Sequence, residues 1–340
     1  MNSINVSISK NILLTGAGFT YNFGGLLANT MWAEIHNHLH RSNQSRLIQT
    51  IKNQFDYEEL YQQIINGTIY SDAEKTAFME SVLDAYRTLD GVIRKYDSRN
   101  PTIDLNSLAK LISRMIGDQR KRAFFFTLNQ DIFIERWFMR IADNKPILPG
   151  IEHKYGFTSL ALEGGDLDSK YYRHVMEQKE LDKYFEDQNK NNWPEMLYYI
   201  KLHGSYDWRD KKNQNIMIIG KGKSERIEVE PILKCYLELF KKALSFPESR
   251  LLIIGYGFRD PHINEVIVES IKKSKLKVFI ICPQDPKDFM KNTLINAETY
   301  KDTIWEAVAG YYPYTLKEIF PFNGFPSQRY INLVNDFIGN

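Results

Sequence analysis

The stretch "NILLTGAGFTYNFG", residues 11–24, decides the fold. Ile12–Thr15 is an apolar run too short for a buried helix, and it runs into Gly16-Ala17-Gly18. It reads as a strand buried on both faces that ends in a tight turn. Glycines at such a turn let backbone N–H groups approach a phosphate, and the helix start that follows adds a favourable dipole. A dehydrogenase fingerprint needs its third glycine at position 21, where this chain carries Tyr21. The loop therefore either holds a dinucleotide in another manner or is a strand–helix turn with no ligand.

Outward from this loop the same pattern repeats. Ala123–Thr127, Leu197–Leu202, Leu251–Ile254 and Val278–Ile281 are short apolar runs, each closed by a turn signal. Helical spacing separates them, as in Ile132–Ile141 and Glu265–Lys273. Alternation of this kind predicts an α/β fold, a Rossmann-like parallel sheet with helices on both faces. Between the first two strands, "DYEELYQQIINGT" and "DAEKTAFMESVLDAYRTLDGVIRKY" space apolar residues three and four apart. We read a single domain over 1–340 whose core comes from 1–31, 122–143 and 195–290. Large helical insertions occupy 32–121 and 144–194, and 291–340 forms a C-terminal helical or interface segment. The charged run "EQKELDKYFEDQNKNN" in the second insertion reads as a solvated helix face.

Composition narrows the function classes. At 340 residues, 43% hydrophobic and 25% charged, the chain can bury a sizeable core. A formal net charge of +2 gives no argument for nucleic acid or membrane. Cys235 and Cys282 stand alone, so no paired-cysteine metal spacing exists and no disulfide framework is suggested. The start, "MNSINVSISKNILLTG", lacks the pattern of a signal peptide, and no apolar run is long enough to span a bilayer. A cytoplasmic protein is expected. Twenty Tyr and twenty Phe favour a core and interfaces rich in aromatics.

Three further motifs stand at strand ends, where open α/β sheets bind ligands. "FFFTLNQDIFIE" places Asn129 and Asp131 after a strand; alone, the pair is also compatible with an ordinary turn. "YIKLHGSYDW" puts His203 between a strand and Gly204. A near-neutral pKa suits that imidazole to accept a proton, although most buried histidines are simply satisfied in place. "LLIIGYGFRDPHINEVI" sets Gly255 and Gly257 at a strand end and opens a helix at Asp260-Pro261. Capping explains the Asp-Pro pair but not the two glycines. "GKGKS", residues 220–224, is rejected as a triphosphate loop because Met217 stands where glycine is needed; a turn between strands is the expectation.

Taken in order, these motifs resemble the sirtuin family, in particular its bacterial sirtuin-like NAD+ hydrolases, over roughly residues 11–283. "GAGFT" (Gly16, Ala17, Gly18, Phe19, Thr20) resembles the family's phosphate loop, with the diphosphate expected on its backbone N–H groups. "TLNQD" resembles Thr-Gln-Asn-x-Asp. That implies Thr127 in the cofactor site, Asn129 holding the nicotinamide ribose and Asp131 the nicotinamide amide. "KLHG" implies His203 as the catalytic base, with Gly204 beside it. "GYGFRDPHIN" looks like the adenosine-side loop of antiphage members and implies contacts from Gly255, Tyr256, Gly257 and Asp260. Deacylases of the family carry glutamine at the position of Leu128, an Asp-Phe-Arg after the first loop and a four-cysteine zinc module, none of which this chain has.

The resemblance implies an enzyme that takes NAD+ as substrate and cleaves the nicotinamide–ribose bond without zinc or another metal. The alternatives are a silent NAD+ or ADP-ribose sensor, a deacylase or an ADP-ribosyltransferase. It further implies antiphage defence, a homo-oligomer, and a partner such as an ATPase, an Argonaute-type protein or a phage trigger.

Overall fold

The computed structural model describes residues 8–96, 102–115, 122–141, 146–152, 172–190, 197–220, 222–322 and 326–339. Residues 144–145, 153–171 and 191–194 of the second expected insertion lie outside the described residues, as do 1–7.

The strands are β1 (Ile8–Thr15), β2 (Arg122–Thr127), β3 (Arg173–His174), β4 (Leu197–Lys201), β5 (Gly204–Arg209), β6 (Asn215–Met217), β7 (Arg250–Ile254), β8 (Lys277–Ile281) and β9 (Val308–Tyr312). Six of them form one sheet in the order β4-β2-β1-β7-β8-β9, and every pairing in it is parallel. Counted by appearance in the chain, that is the doubly wound order 3-2-1-4-5-6. The order reverses at β1, where Thr15 pairs with Thr127 on one side and Ile254 on the other. A ligand crevice is expected at the carboxyl ends beside that point.

Why both faces are covered is visible in β2. Phe124 and Phe126 point to one face, where Phe126 meets Phe240 of the helix Pro231–Leu244. Phe125 points to the other, against Phe19 and Tyr199. All three are buried, and each buried ring contributes roughly 1.5–3 kcal/mol. Phe19 and Phe23 then pack on Phe133, at the start of the helix Phe133–Ile141, with Phe23 and Phe133 stacked at 4.2 Å. The glycine loop is thus anchored through the aromatic side chains that follow it.

The first insertion is helical, as its spacing predicts: Ala28–Arg41, Ser45–Asn53, Tyr57–Ile65, Asp72–Arg94 and Leu105–Arg114. Asp72–Arg94 opens on a capping box between Ser71 and Glu74, and Tyr57–Ile65 on the Asp56 side chain. Such caps stabilise a helix by about 1 kcal/mol each. A second, small sheet runs β3-β5-β6.

Two expectations are corrected. The segment 291–340 is not wholly beyond the sheet, because Val308–Tyr312 pairs in parallel with β8 as its sixth strand. Its aromatics mostly turn inward: Phe320, Tyr330 and Phe337 are buried, and Phe337 packs on Phe279 of β8. "GKGKS" is likewise not a turn between strands. It leads from β6 into the helix Lys223–Val229, with Gly222 in the left-handed conformation at its N-cap.

Candidate active site

Four loops leave the carboxyl ends of β1, β2, β4 and β7, and together with Thr127 at the end of β2 and Gly204 at the start of β5 they carry the expected site residues. The first and last interlock. Gly16 N–H donates to the Ile254 carbonyl, Gly18 N–H to the Gly255 carbonyl and Phe19 N–H to the Gly16 carbonyl, at 2.9–3.0 Å. A Cβ on Gly255, whose φ is +67°, would stand 2.1 Å from the Phe19 nitrogen; one on Gly16 would stand 2.7 Å from the Gly255 oxygen. A Cβ on Gly18 would meet the Gly255 Cα at 2.8 Å. These three glycines are required by the approach of one loop to the other. The N–H groups of Gly16, Gly18 and Phe19 each donate within the chain.

Gly257 differs. A Cβ there would meet nothing within 4 Å, so packing gives no reason for glycine. Gly204 is structural: φ is +73°, and a Cβ would lie 2.3 Å from the Ile216 oxygen, where β5 pairs with β6. Tyr256 stitches its own loop, donating to Asn264 Oδ1 at 2.9 Å, while Asn264 holds the Phe258 carbonyl at 2.8 Å.

Asn129 and His203 occupy matched positions. Thr127 pairs with Lys201 across β2 and β4, and each candidate follows its paired residue by two. Asn129 is fixed by its amide, which donates to Thr20 Oγ1 at 2.8 Å, and by its backbone N–H on Thr127 Oγ1 at 3.1 Å. Thr127 is itself held by Thr15 Oγ1 at 2.8 Å. Asp131 accepts from the Phe133 N–H at 2.9 Å and so caps the following helix. Burial raises its carboxyl, with Lys201 pulling the other way. Under this loop lies a fully buried pair, Lys201 Nζ to Glu135 Oε1 at 2.9 Å. Gln130 is tied to the insertion by the Tyr86 hydroxyl, which donates to its side-chain oxygen.

His203 is 3% exposed, and its Nε2 meets Nε2 of His262 at 3.1 Å. The same Nε2 lies 3.9 Å from Asp260 Oδ1, and Asp260 Oδ1 is 2.8 Å from Lys223 Nζ. Lys223 also reaches Glu58 of the insertion at 2.9 Å. Burial holds His203 well below its ordinary value, against the pull of Asp260. His262 is lowered by burial to about 4. Burial alone would raise Asp260, but Lys223 and His203 bring it down to about 2. At neutral pH the site therefore holds two uncharged imidazoles, a carboxylate and an ammonium.

Lys223, His262 and Glu58 were not singled out in the sequence. His262 sits inside "GYGFRDPHIN" as the second residue of the helix Pro261–Ser274. Lys223 is the first residue of its helix, and its partners Glu58 and Asp260 lie far away in the chain.

Residues 123–302 match the model of the SIR2-like domain, more than half of the chain, and the protein belongs to that family. SIR2-like domains use NAD+ as substrate, and the family is typically enzymatic. The match contains Asn129, His203 and Asp260; the Gly16–Thr20 loop and the whole of the first helical insertion precede it. No curated protein matches the chain. Among the described residues, no helix is long and apolar enough to cross a membrane.

Proposed function

We propose that this protein is an NAD+ glycohydrolase, cleaving the nicotinamide–ribose bond with water to give nicotinamide and ADP-ribose. The observation that carries the reading is the matched placement of Asn129 and His203, each two residues past the paired Thr127 and Lys201 at the ends of adjacent strands of a SIR2-like domain. The C1′–N bond breaks to nicotinamide, whose ring takes the electron pair, and the ribose passes through an oxocarbenium-like state. Water forms the new C1′–O bond and gives its proton to His203, a contribution of typically ~10²–10⁴-fold. Asn129 exchanges its Thr20 partner for the ribose and orients it. Asp131 binds the nicotinamide amide, and Thr127, Tyr256, Gly257 and Asp260 line the remaining cofactor path. Hydrolysis is favoured over deacylation because two lone cysteines cannot build the four-cysteine zinc module.

A second reading, a silent NAD+ or ADP-ribose sensor, is favoured by the closure of the site: Asn129, His203 and Asp260 are all buried. Incubation of the purified chain with NAD+, following nicotinamide and ADP-ribose together, separates the two. Binding without release of nicotinamide would establish the sensor, and acyl-peptide turnover would establish a deacylase. The likeness of "GYGFRDPHIN" to antiphage members supports a cytoplasmic, defence-linked role in a homo-oligomer controlled by a partner protein.

A further inference from the structure

His203, Asp260 and His262 form a buried cluster whose ligand atoms all lie within 4.8 Å of one another. We propose that they are a binding site for a divalent transition metal, Zn2+ above all, taking Nε2 from each histidine and one carboxylate oxygen from Asp260. A tetrahedral ion with bonds of ~2.0–2.1 Å sets its ligands about 3.3 Å apart. The two Nε2 atoms stand at 3.1 Å, close to that spacing. The 3.9 Å from His203 to Asp260 Oδ1 closes to it by a movement of about 0.6 Å, within reach of a carboxylate rotation. Imidazole nitrogen with carboxylate oxygen suits Zn2+, and three protein ligands leave a fourth position for water.

Charge agrees with the geometry. Ligation needs unprotonated imidazoles and an ionised carboxylate, and burial keeps both rings uncharged while Lys223 keeps Asp260 ionised. The neighbourhood contains two carboxylates, Glu58 and Asp260, against one ammonium, Lys223. Since Lys223 already bridges both acids, it retreats to Glu58 when the metal takes Asp260. An ion held there occupies the His203 lone pair, so the loaded protein cannot use that residue as a base. Silencing of this kind rests on the hydrolase reading; the metal site does not.

The test is titration of the metal-stripped full chain with Co2+, read by visible absorption, beside nicotinamide release from the same samples. The site predicts a tetrahedral Co2+ band that saturates at one equivalent and is displaced by Zn2+. His262→Ala and His262→Gln should both lose the band, and Asp260→Asn should weaken binding about tenfold or more. No band in the wild type, or an unchanged band in folded His262 variants, overturns the site. Stripped protein should release nicotinamide, and Zn2+ should suppress that release about tenfold or more, reversibly with chelator. A saturated band with undiminished turnover overturns the silencing. A stripped chain that never releases nicotinamide overturns the hydrolase reading, and the Co2+ band still judges the site.

Discussion

Lys223 stands 2.9 Å from Glu58 and so ties the helical insertion to the loop that carries Asp260. Glu58 lies in the first turn of Tyr57–Ile65, on an element outside the matched SIR2-like residues. The packing is close, since a Cβ on Gly220 would stand 2.9 Å from the Glu58 carbonyl oxygen. The insertion thus packs against the site through Glu58 and Lys223.

If that contact must open for NAD+ to enter, Glu58→Gln should raise basal turnover. Glu58 is 38% exposed, so the pair is worth only ~0.2–1 kcal/mol, and the expected gain is about 1.4- to fivefold. Nicotinamide release at saturating NAD+ measures it, with thermal melting as the control for gross damage. Turnover equal to the wild type would show that the Glu58–Lys223 contact does not hold the site shut.

Asn129 and His203 should behave as one unit. His203→Ala and Asn129→Ala should each lower turnover by ~10²–10⁴-fold. The double variant should be little worse than either, because losses within a unit are not additive. Near-normal release of nicotinamide by either single variant would remove that residue from the mechanism. His203→Ala also leaves His262 without its Nε2 partner, so melting temperatures are needed to separate a chemical loss from a structural one.

Most of the sheet was legible in the sequence for a simple reason. Each central strand is covered on both faces, so its residues are apolar without interruption and a turn follows at once, as in Leu251–Ile254 before Gly255. β9 was missed because it is an edge strand, half-exposed and broken by Gly310, and "VAGYY" carries neither a continuous nor an alternating pattern. The four loops were legible as motifs because glycines, Asn129 and His203 directly abut the strands. Lys223 was not, since its role exists only when the insertion and the β7 loop come together. The sequence of the first loop suggests a phosphate as the reason for its glycines, whereas their immediate cause is the opposing backbone at Gly255.

The pH response should follow the two imidazoles. His203 acts only when uncharged, and its folded value lies well below 6.5, so turnover should be flat from alkaline pH down through 6.5 and fall only in more acidic solution. Stability has the same sign. Unfolded, His262 takes up a proton near pH 6.5; folded, it resists until about 4. Its uncharged burial is therefore tolerated fully above 6.5, and stability is lost as pH falls from 6.5 towards 4, by on the order of 3 kcal/mol at most. Asp260 adds a further loss as pH falls from its unfolded value of 3.8 towards about 2. Chemical denaturation from pH 8 to pH 4 should show the decline for the wild type and a shallower one for His262→Gln. An identical decline in both would acquit His262.

Two glycines of one loop should give opposite results. At Gly255, φ is +67° and an added Cβ would lie 2.1 Å from the Phe19 nitrogen and 2.3 Å from the Gly18 carbonyl carbon. All of these are backbone atoms, which cannot rotate away as a side-chain tip can. Gly255→Ala must therefore prise apart the β1 and β7 loops and break the Gly18 N–H bond to the Gly255 carbonyl. A loss of at least ~3 kcal/mol or failure to fold is expected. At Gly257 an added Cβ meets no protein atom within 4 Å, and φ there is not one that penalises a side chain. Gly257→Ala should keep the melting temperature within about a degree or two, since an unstrained replacement of glycine costs the fold nothing. If Gly257 is glycine because NAD+ lies against its backbone, the same methyl group should weaken NAD+ binding about tenfold, an effect that calorimetry with the His203→Ala background reads without turnover. Unchanged affinity in Gly257→Ala would move the cofactor path away from this loop and leave Asp260 as a positioning residue for the histidines alone.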